Sequence, residues 1–165
     1  MKALYLALIV IALLLLGTNV AQAQTTQTKL NQVELLKQFL GSWKWDAGKD
    51  TTGYYDAKSY GTGLEGNLRF VTNGKTYTEG KQLMGYDKSS DKLIQSQMLK
   101  GRNIGCYAYY FITNKKYEII PYSDISNPEK AAWKCEGEFT SPDTFVETTI
   151  VKNKPPETVT FTRVK

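Results

Sequence analysis

Cys106 and Cys135 are the only two thiols in the 165-residue chain, and the sequence holds no histidine. That combination removes the usual general base near neutral pH, the histidine-centred triads and the commonest metal ligand together. Without an imidazole to activate it, neither cysteine reads as a nucleophile. If one strand lies between theirs, the two backbones stand about 9–10 Å apart, beyond the reach of a disulfide. An exported setting would favour a bridge, but the geometry favours two buried free thiols. Asp87, Ser89 and Asp91 have the one-three-five spacing of a calcium loop, yet Lys92 stands where the loop needs glycine and Met98 where it needs a bidentate glutamate. The segment reads as a solvated turn, and no metal site is expected.

What remains for chemistry is carboxylates, tyrosines and aromatic surface. Carboxylates and tyrosines serve as acid and base near neutral pH only when burial shifts their pKa values. Trp45 shares the facing of Trp43 one pleat further in, Trp133 and Tyr110 lie on apolar parities of later strands, and Ser96 and Met98 lie on another. In a small barrel such inward side chains either fill the interior or line a pocket for one apolar ligand. The candidate ligand-binding set is therefore Trp45, Ser96, Met98, Tyr110 and Trp133, with plain core packing as the alternative.

The elements that must position these residues follow from periodicity. Residues 1–23 read as a cleaved signal peptide: Lys2 is a positive start, Ala3 to Leu16 an apolar run, and Ala21-Gln22-Ala23 a cleavage site. No cysteine near that site offers a lipid attachment point, and no later segment is long and apolar enough to span a bilayer, so the mature product is expected to be soluble and periplasmic or secreted. Residues 24–29 are polar and unpatterned, and 30–165 form one domain. The domain opens with one helix, capped by Asn31 with Glu34 at the reciprocal position, stapled by Leu30 and Leu35, and burying Val33, Leu36, Phe39 and Leu40 before Gly41 ends it.

From Ser42 onward, short alternating segments separated by turn residues recur every 8 to 12 residues. Nine or ten strands are expected, over approximate spans 42–47, 54–60, 64–71, 76–84, 93–100, 104–112, 117–121, 131–139, 144–151 and 158–164. Asn73-Gly74 suits a tight hairpin, and Pro142, Pro155 and Pro156 forbid continued pairing. Short connections predict a meander: an all-β, antiparallel up-and-down barrel of about 8–10 strands. The longest connection, Tyr122 to Lys130, is the candidate lid. Strand 104–112 is apolar on both parities, with Tyr107, Tyr109 and Phe111 opposite Cys106, Ala108 and Tyr110, which suggests a cover over its outer face, such as the second subunit of a homodimer.

Phe39-Leu40-Gly41-Ser42-Trp43-Lys44-Trp45 resembles the opening of lipocalins and fatty-acid-binding proteins, and Thr160-Phe161-Thr162-Arg163-Val164 resembles their closing strand. Met84-Gly85-Tyr86-Asp87, entering a turn before Leu93, is similar to a family of small bacterial lipocalin-like (calycin) proteins of unknown function. The resemblance spans nearly the whole of residues 30–165 and implies a lipocalin-like barrel with structural roles for Gly41, Trp43 and Arg163. It implies no catalytic residue and no cofactor. The paired arginines that clamp a carboxylate in fatty-acid-binding proteins have no motif match, since Arg69, Arg102 and Arg163 are the only arginines. Independently of the family, a guanidinium across the Trp43 indole would tie the last strand to the first by about 0.5–2 kcal/mol.

The sequence thus points first to an exported, non-enzymatic barrel binding a small hydrophobic or amphipathic molecule. A protein-interaction or inhibitor module with a filled core comes second, and an enzyme using buried carboxylates or tyrosines third. The net charge of +5 is spread along the chain rather than clustered, so no nucleic-acid partner is expected.

Overall fold

A computed structural model describes residues 29–165; the expected signal peptide and residues 24–28 lie outside the described residues. The chain opens with helix α1 (Gln32–Leu36), which tightens into a 3₁₀ turn over Lys37–Phe39. The Asn31 side chain caps α1 by accepting from the Glu34 amide at 3.1 Å. Glu34 turns to Lys37, 2.8 Å away, rather than completing a reciprocal box. Of the expected stripe, Leu36 and Phe39 are buried while Val33 and Leu40 are only half-buried, and Gln32 is buried beside them. Gln32 is held there by a buried polar contact. Its amide donates to the Phe111 carbonyl at 3.1 Å and accepts from the Phe111 amide at 2.8 Å, satisfying a strand end that has no other partner there.

Ten strands follow: β1 (Gly41–Asp46), β2 (Thr51–Tyr60), β3 (Gly63–Thr72), β4 (Lys75–Asp87), β5 (Lys92–Leu99), β6 (Ile104–Phe111), β7 (Lys116–Pro121), β8 (Trp133–Ser141), β9 (Thr144–Val151) and β10 (Glu157–Arg163). Each pairs antiparallel with its chain neighbours, and β1 pairs with β10 to close the barrel. Every expected strand is present, and the meander order is the one the short turns predict. α1 sits across the end where the β2–β3, β4–β5, β6–β7 and β8–β9 turns lie. Phe39 projects from it into an aromatic cluster, 5.1 Å from the ring centroids of both Tyr117 and Phe139 and 5.7 Å from Phe145.

Three expectations about facing are corrected. On β5 the inward residues are Leu93, Gln95 and Gln97, so Ser96 and Met98 are exposed on the outside. On β6 the inward residues are Tyr107, Tyr109 and Phe111, all packed with the core. Tyr110 faces out, with Lys92 4.0 Å from its ring centroid and its hydroxyl bonded to Glu118. Cys106 is likewise exposed on the outer face, while Cys135 is buried on the inner one; both are free, with β7 between their strands.

On the outer face of β6, Ala108 is covered within the chain, whereas Ile104 and Cys106 are exposed. Ala108 and Ile120 are cross-strand partners, buried outside the main core. The Tyr122–Asp124 turn of the long connection packs against β6. That connection, expected as a lid, forms two 3₁₀ turns, Tyr122–Asp124 and Pro128–Lys130. The tyrosines that suggested a dimer interface through this strand therefore belong to the interior.

Candidate binding site inside the barrel

The plugged end is built around Trp43, which is fully buried. Its indole N–H donates to the Phe39 carbonyl at 2.9 Å, fixing the helix to β1. Arg163, its partner across the β1–β10 ladder, lies over the ring with its guanidinium carbon 4.1 Å from the centroid. The guanidinium donates to the Leu40 carbonyl at 2.7 Å and the Pro142 carbonyl at 3.0 Å, and pairs with Asp143 at 3.1 Å. Gly41 has φ +108°, and a Cβ there would collide with the guanidinium. Only glycine combines that backbone with that closeness.

Beyond this plug lies an interior cavity of about 220 Å³. Trp45, Phe70, Phe145 and Phe161 form aromatic walls, Leu68 and Met84 add aliphatic surface, and Tyr55, Tyr109, Gln82, Gln95, Gln97 and Glu147 supply polar groups. The amides are linked: Gln82 and Gln95 both donate to Gln97 Oε1, at 2.8 and 3.2 Å. Glycines make room for the rings. A Cβ at Gly53 would collide with the Trp45 indole, one at Gly66 with the Tyr55 ring, and one at Gly137 with the Tyr117 ring. Each flat ring lies over a bare stretch of neighbouring backbone, which lets the strands bend into a closed wall.

Glu147 is the one charged residue lining this cavity among the described residues. It stands on the inward face of β9, paired with Gly137 and next but one to buried Phe145. Tyr117 donates its hydroxyl proton to Glu147 Oε1 at 2.8 Å. Burial pushes the carboxyl up to about 7, against the pull of that hydrogen bond toward the charged form. Burial also drives the Tyr109 and Tyr117 hydroxyls well above their ordinary value, with the nearby Glu147 charge adding to the effect. The Cys135 thiol is pushed up to about 12 by burial first and Glu147 second. None of the three arginines lines the cavity.

Of the five residues expected to line a pocket, Trp45 does so. Trp133 faces inward on β8 and packs on Tyr107 at 5.8 Å, outside the cavity lining. Ser96, Met98 and Tyr110 lie on the outer surface. Missed were Glu147 and the three glutamines. A carboxylate on the same parity as Phe145 was the available signal for Glu147. Trp45 also lines an outer cleft of about 680 Å³ with Lys44, Asp46, Lys49, Thr160 and Thr162. It lies between Phe161, whose tilted ring is 5.0 Å away, and Phe70, which meets it edge-on at 5.5 Å. One indole thus separates the interior from the cleft where β1 and β10 diverge, for only Trp43 with Arg163 and Lys44 with Thr162 are paired along that seam.

At the closed end of β4, Asp87 accepts from the hydroxyls and amides of Ser89 and Ser90. Those bonds lower its carboxyl to about 2. The Tyr86 hydroxyl donates to Asp91 at 2.6 Å. These contacts make the calcium-like spacing a self-bonded turn.

No family model matches the sequence, and no curated protein matches it. Among solved structures, a redesigned β-barrel is similar at 16% identity, over 81% of this chain and 96% of that one, with a TM-score of 0.32.

Proposed function

We propose that this protein is a lipocalin-like carrier, exported by its signal peptide to the periplasm or the medium, that binds one small amphipathic molecule inside its barrel without transforming it. The observation that carries this reading is the cavity itself: a plugged barrel keeps about 220 Å³ open between aromatic walls and a few convergent polar groups. That volume is below the ~300 Å³ at which pockets for drug-sized ligands begin, so the ligand is small. The space is open to solvent on one side, which gives a ligand a way in. The N-terminal resemblance to signal peptides supports export, and the end motifs around Trp43 and Arg163 support the lipocalin-like assignment.

The test is a mixed panel of small amines, alcohols, carboxylates and aromatic metabolites, followed by native mass spectrometry and tryptophan fluorescence. One-to-one adducts that quench Trp45 emission are expected, with the quenching lost in Trp45→Phe. A panel that yields no adduct defeats the reading.

A second reading has its own observation. Glu147, Tyr117, Tyr109 and Tyr55 converge inside the barrel, and a carboxyl held near neutrality is what proton transfer requires. On that reading Glu147 would act as acid or base toward a bound substrate. Chemical change in a panel member that stops with Glu147→Gln would favour it over simple carriage.

A further inference from the structure

The cavity wall contains an anion and no cation. Among the described residues lining it, Glu147 carries the only formal charge, and it takes part in no ion pair of the described chain. An ionised carboxylate in such a place is expensive unless something positive reaches it. The chain meets only part of that need. Tyr117 bonds one oxygen, and the other titratable groups facing Glu147 are Tyr55 from β2, Tyr109 from β6 and Cys135 from β8, none of which carries positive charge. The amide groups nearest the cavity, Gln82 on β4 and Gln95 and Gln97 on β5, are neutral.

Resting on the reading of the barrel as a small-molecule carrier, we infer that its ligand is a small organic ammonium ion, whose N–H groups bond the Glu147 carboxylate while its apolar body lies among the Trp45, Tyr55, Tyr109 and Phe145 rings. Three features fit that class together. The carboxylate supplies a charge-assisted acceptor in a desolvated setting. The aromatic rings lining the cavity attract a cation through their faces. The Gln97 and Gln95 side chains add neutral hydrogen-bonding capacity beside the charge. A carboxylate ligand meets the opposite situation, since it would stand against Glu147 with no arginine in the wall. Charge state links binding to pH. Glu147 is half-protonated near 7, so an alkyl ammonium, charged up to about pH 10, binds more tightly as pH rises through neutrality.

The experiment compares matched ligands differing only in the polar head. 2-Phenylethylamine, tryptamine and hexylamine are each set against the corresponding alcohol and carboxylate, by calorimetry and tryptophan fluorescence at pH 6 and pH 8, in the wild type and in Glu147→Gln. On at least one skeleton the ammonium should bind about ten- to a hundredfold tighter than the alcohol at pH 8, and the carboxylate should bind weakest. Glu147→Gln should cost the ammonium far more affinity than it costs the alcohol, and abolish the pH dependence. Its thermal melting checks that it folds. Equal binding of the three heads, or an ammonium preference that survives Glu147→Gln, overturns the inference while the carrier reading stands. Binding by alcohols or carboxylates but by none of the amines does the same. Failure of every ligand here and in the mixed panel overturns both.

Discussion

Arg163 covers the face of Trp43 at 4.1 Å, and the two are direct cross-strand partners joining the last strand to the first. The contact does two jobs. It caps the buried indole from the solvent side, and it ties the helix end to the β8–β9 turn through the Leu40 and Pro142 carbonyls.

Removing either partner should therefore loosen the plugged end. Trp43→Ala is expected to cost about 3–5 kcal/mol, since it empties a fully buried aromatic site, and Arg163→Ala less, because part of the guanidinium is wet. A double-mutant cycle by urea denaturation should return a coupling of about 0.5–2 kcal/mol. Losses that add to within about 0.3 kcal/mol would show that the contact contributes nothing.

Glu147 should make the protein less stable at neutral pH than in mild acid. Its carboxyl is raised on folding from about 4.5 to about 7, so the folded state holds a proton that the unfolded state releases. The stabilisation is complete below about pH 4.5, falls as pH rises, and is gone above about 7; a shift of this size corresponds to roughly 3 kcal/mol. Glu147→Gln should flatten that part of the profile and be the more stable protein at pH 8. Parallel profiles for wild type and variant, measured by denaturation between pH 4 and 8, would contradict this.

Gly137 is expected to tolerate no side chain. A methyl group there meets the Tyr117 ring, so Gly137→Ala must displace the hydroxyl that bonds Glu147. We expect a loss of about 1–3 kcal/mol from overpacking, larger than the roughly 1 kcal/mol of a lost hydrogen bond in Tyr117→Phe. Chemical denaturation of the two variants side by side gives the ranking, and the reverse order would count against the packing argument.

The two thiols should be told apart by reagent. Cys106 is exposed on the outer face of β6, whereas Cys135 is buried with its thiol pushed up to about 12. A thiol-reactive dye should label one cysteine in the native protein and two after unfolding, with Cys106→Ser abolishing the native signal. Native labelling at both sites would mean that the inner face of β8 opens readily.

The strand spans, their meander order and the closing pair could be read from the sequence because turns and end motifs are local features, although these leave the count at nine or ten. Facing was harder. β6 is apolar on both sides, with Ala108 covered on the outside while Ile104 and Cys106 stay exposed there, so composition could not say which parity points inward. β5 misled for the opposite reason: Gln95 and Gln97 point in while Met98 points out, which inverts the usual rule that polar side chains seek water. That inversion marks the cavity. A barrel that reserves interior space for a polar group must break its alternation there, and Glu147, beside Phe145 on β9, breaks it in the same way.

Nine of the ten strand pairings join consecutive strands, and only the β1–β10 seam links distant parts of the chain; 123 residues separate Leu40 from Arg163 where they bond across it. Hairpins close quickly because little loop entropy opposes them, whereas a contact of such long range must wait for the intervening chain to compact. Assembly therefore runs as a growing ribbon of hairpins that curls until its two margins meet, and the stacking of Arg163 on Trp43 comes at the end. Substitutions at that pair should speed unfolding far more than they slow folding, so they act on the lifetime of the closed barrel rather than on the speed at which it forms.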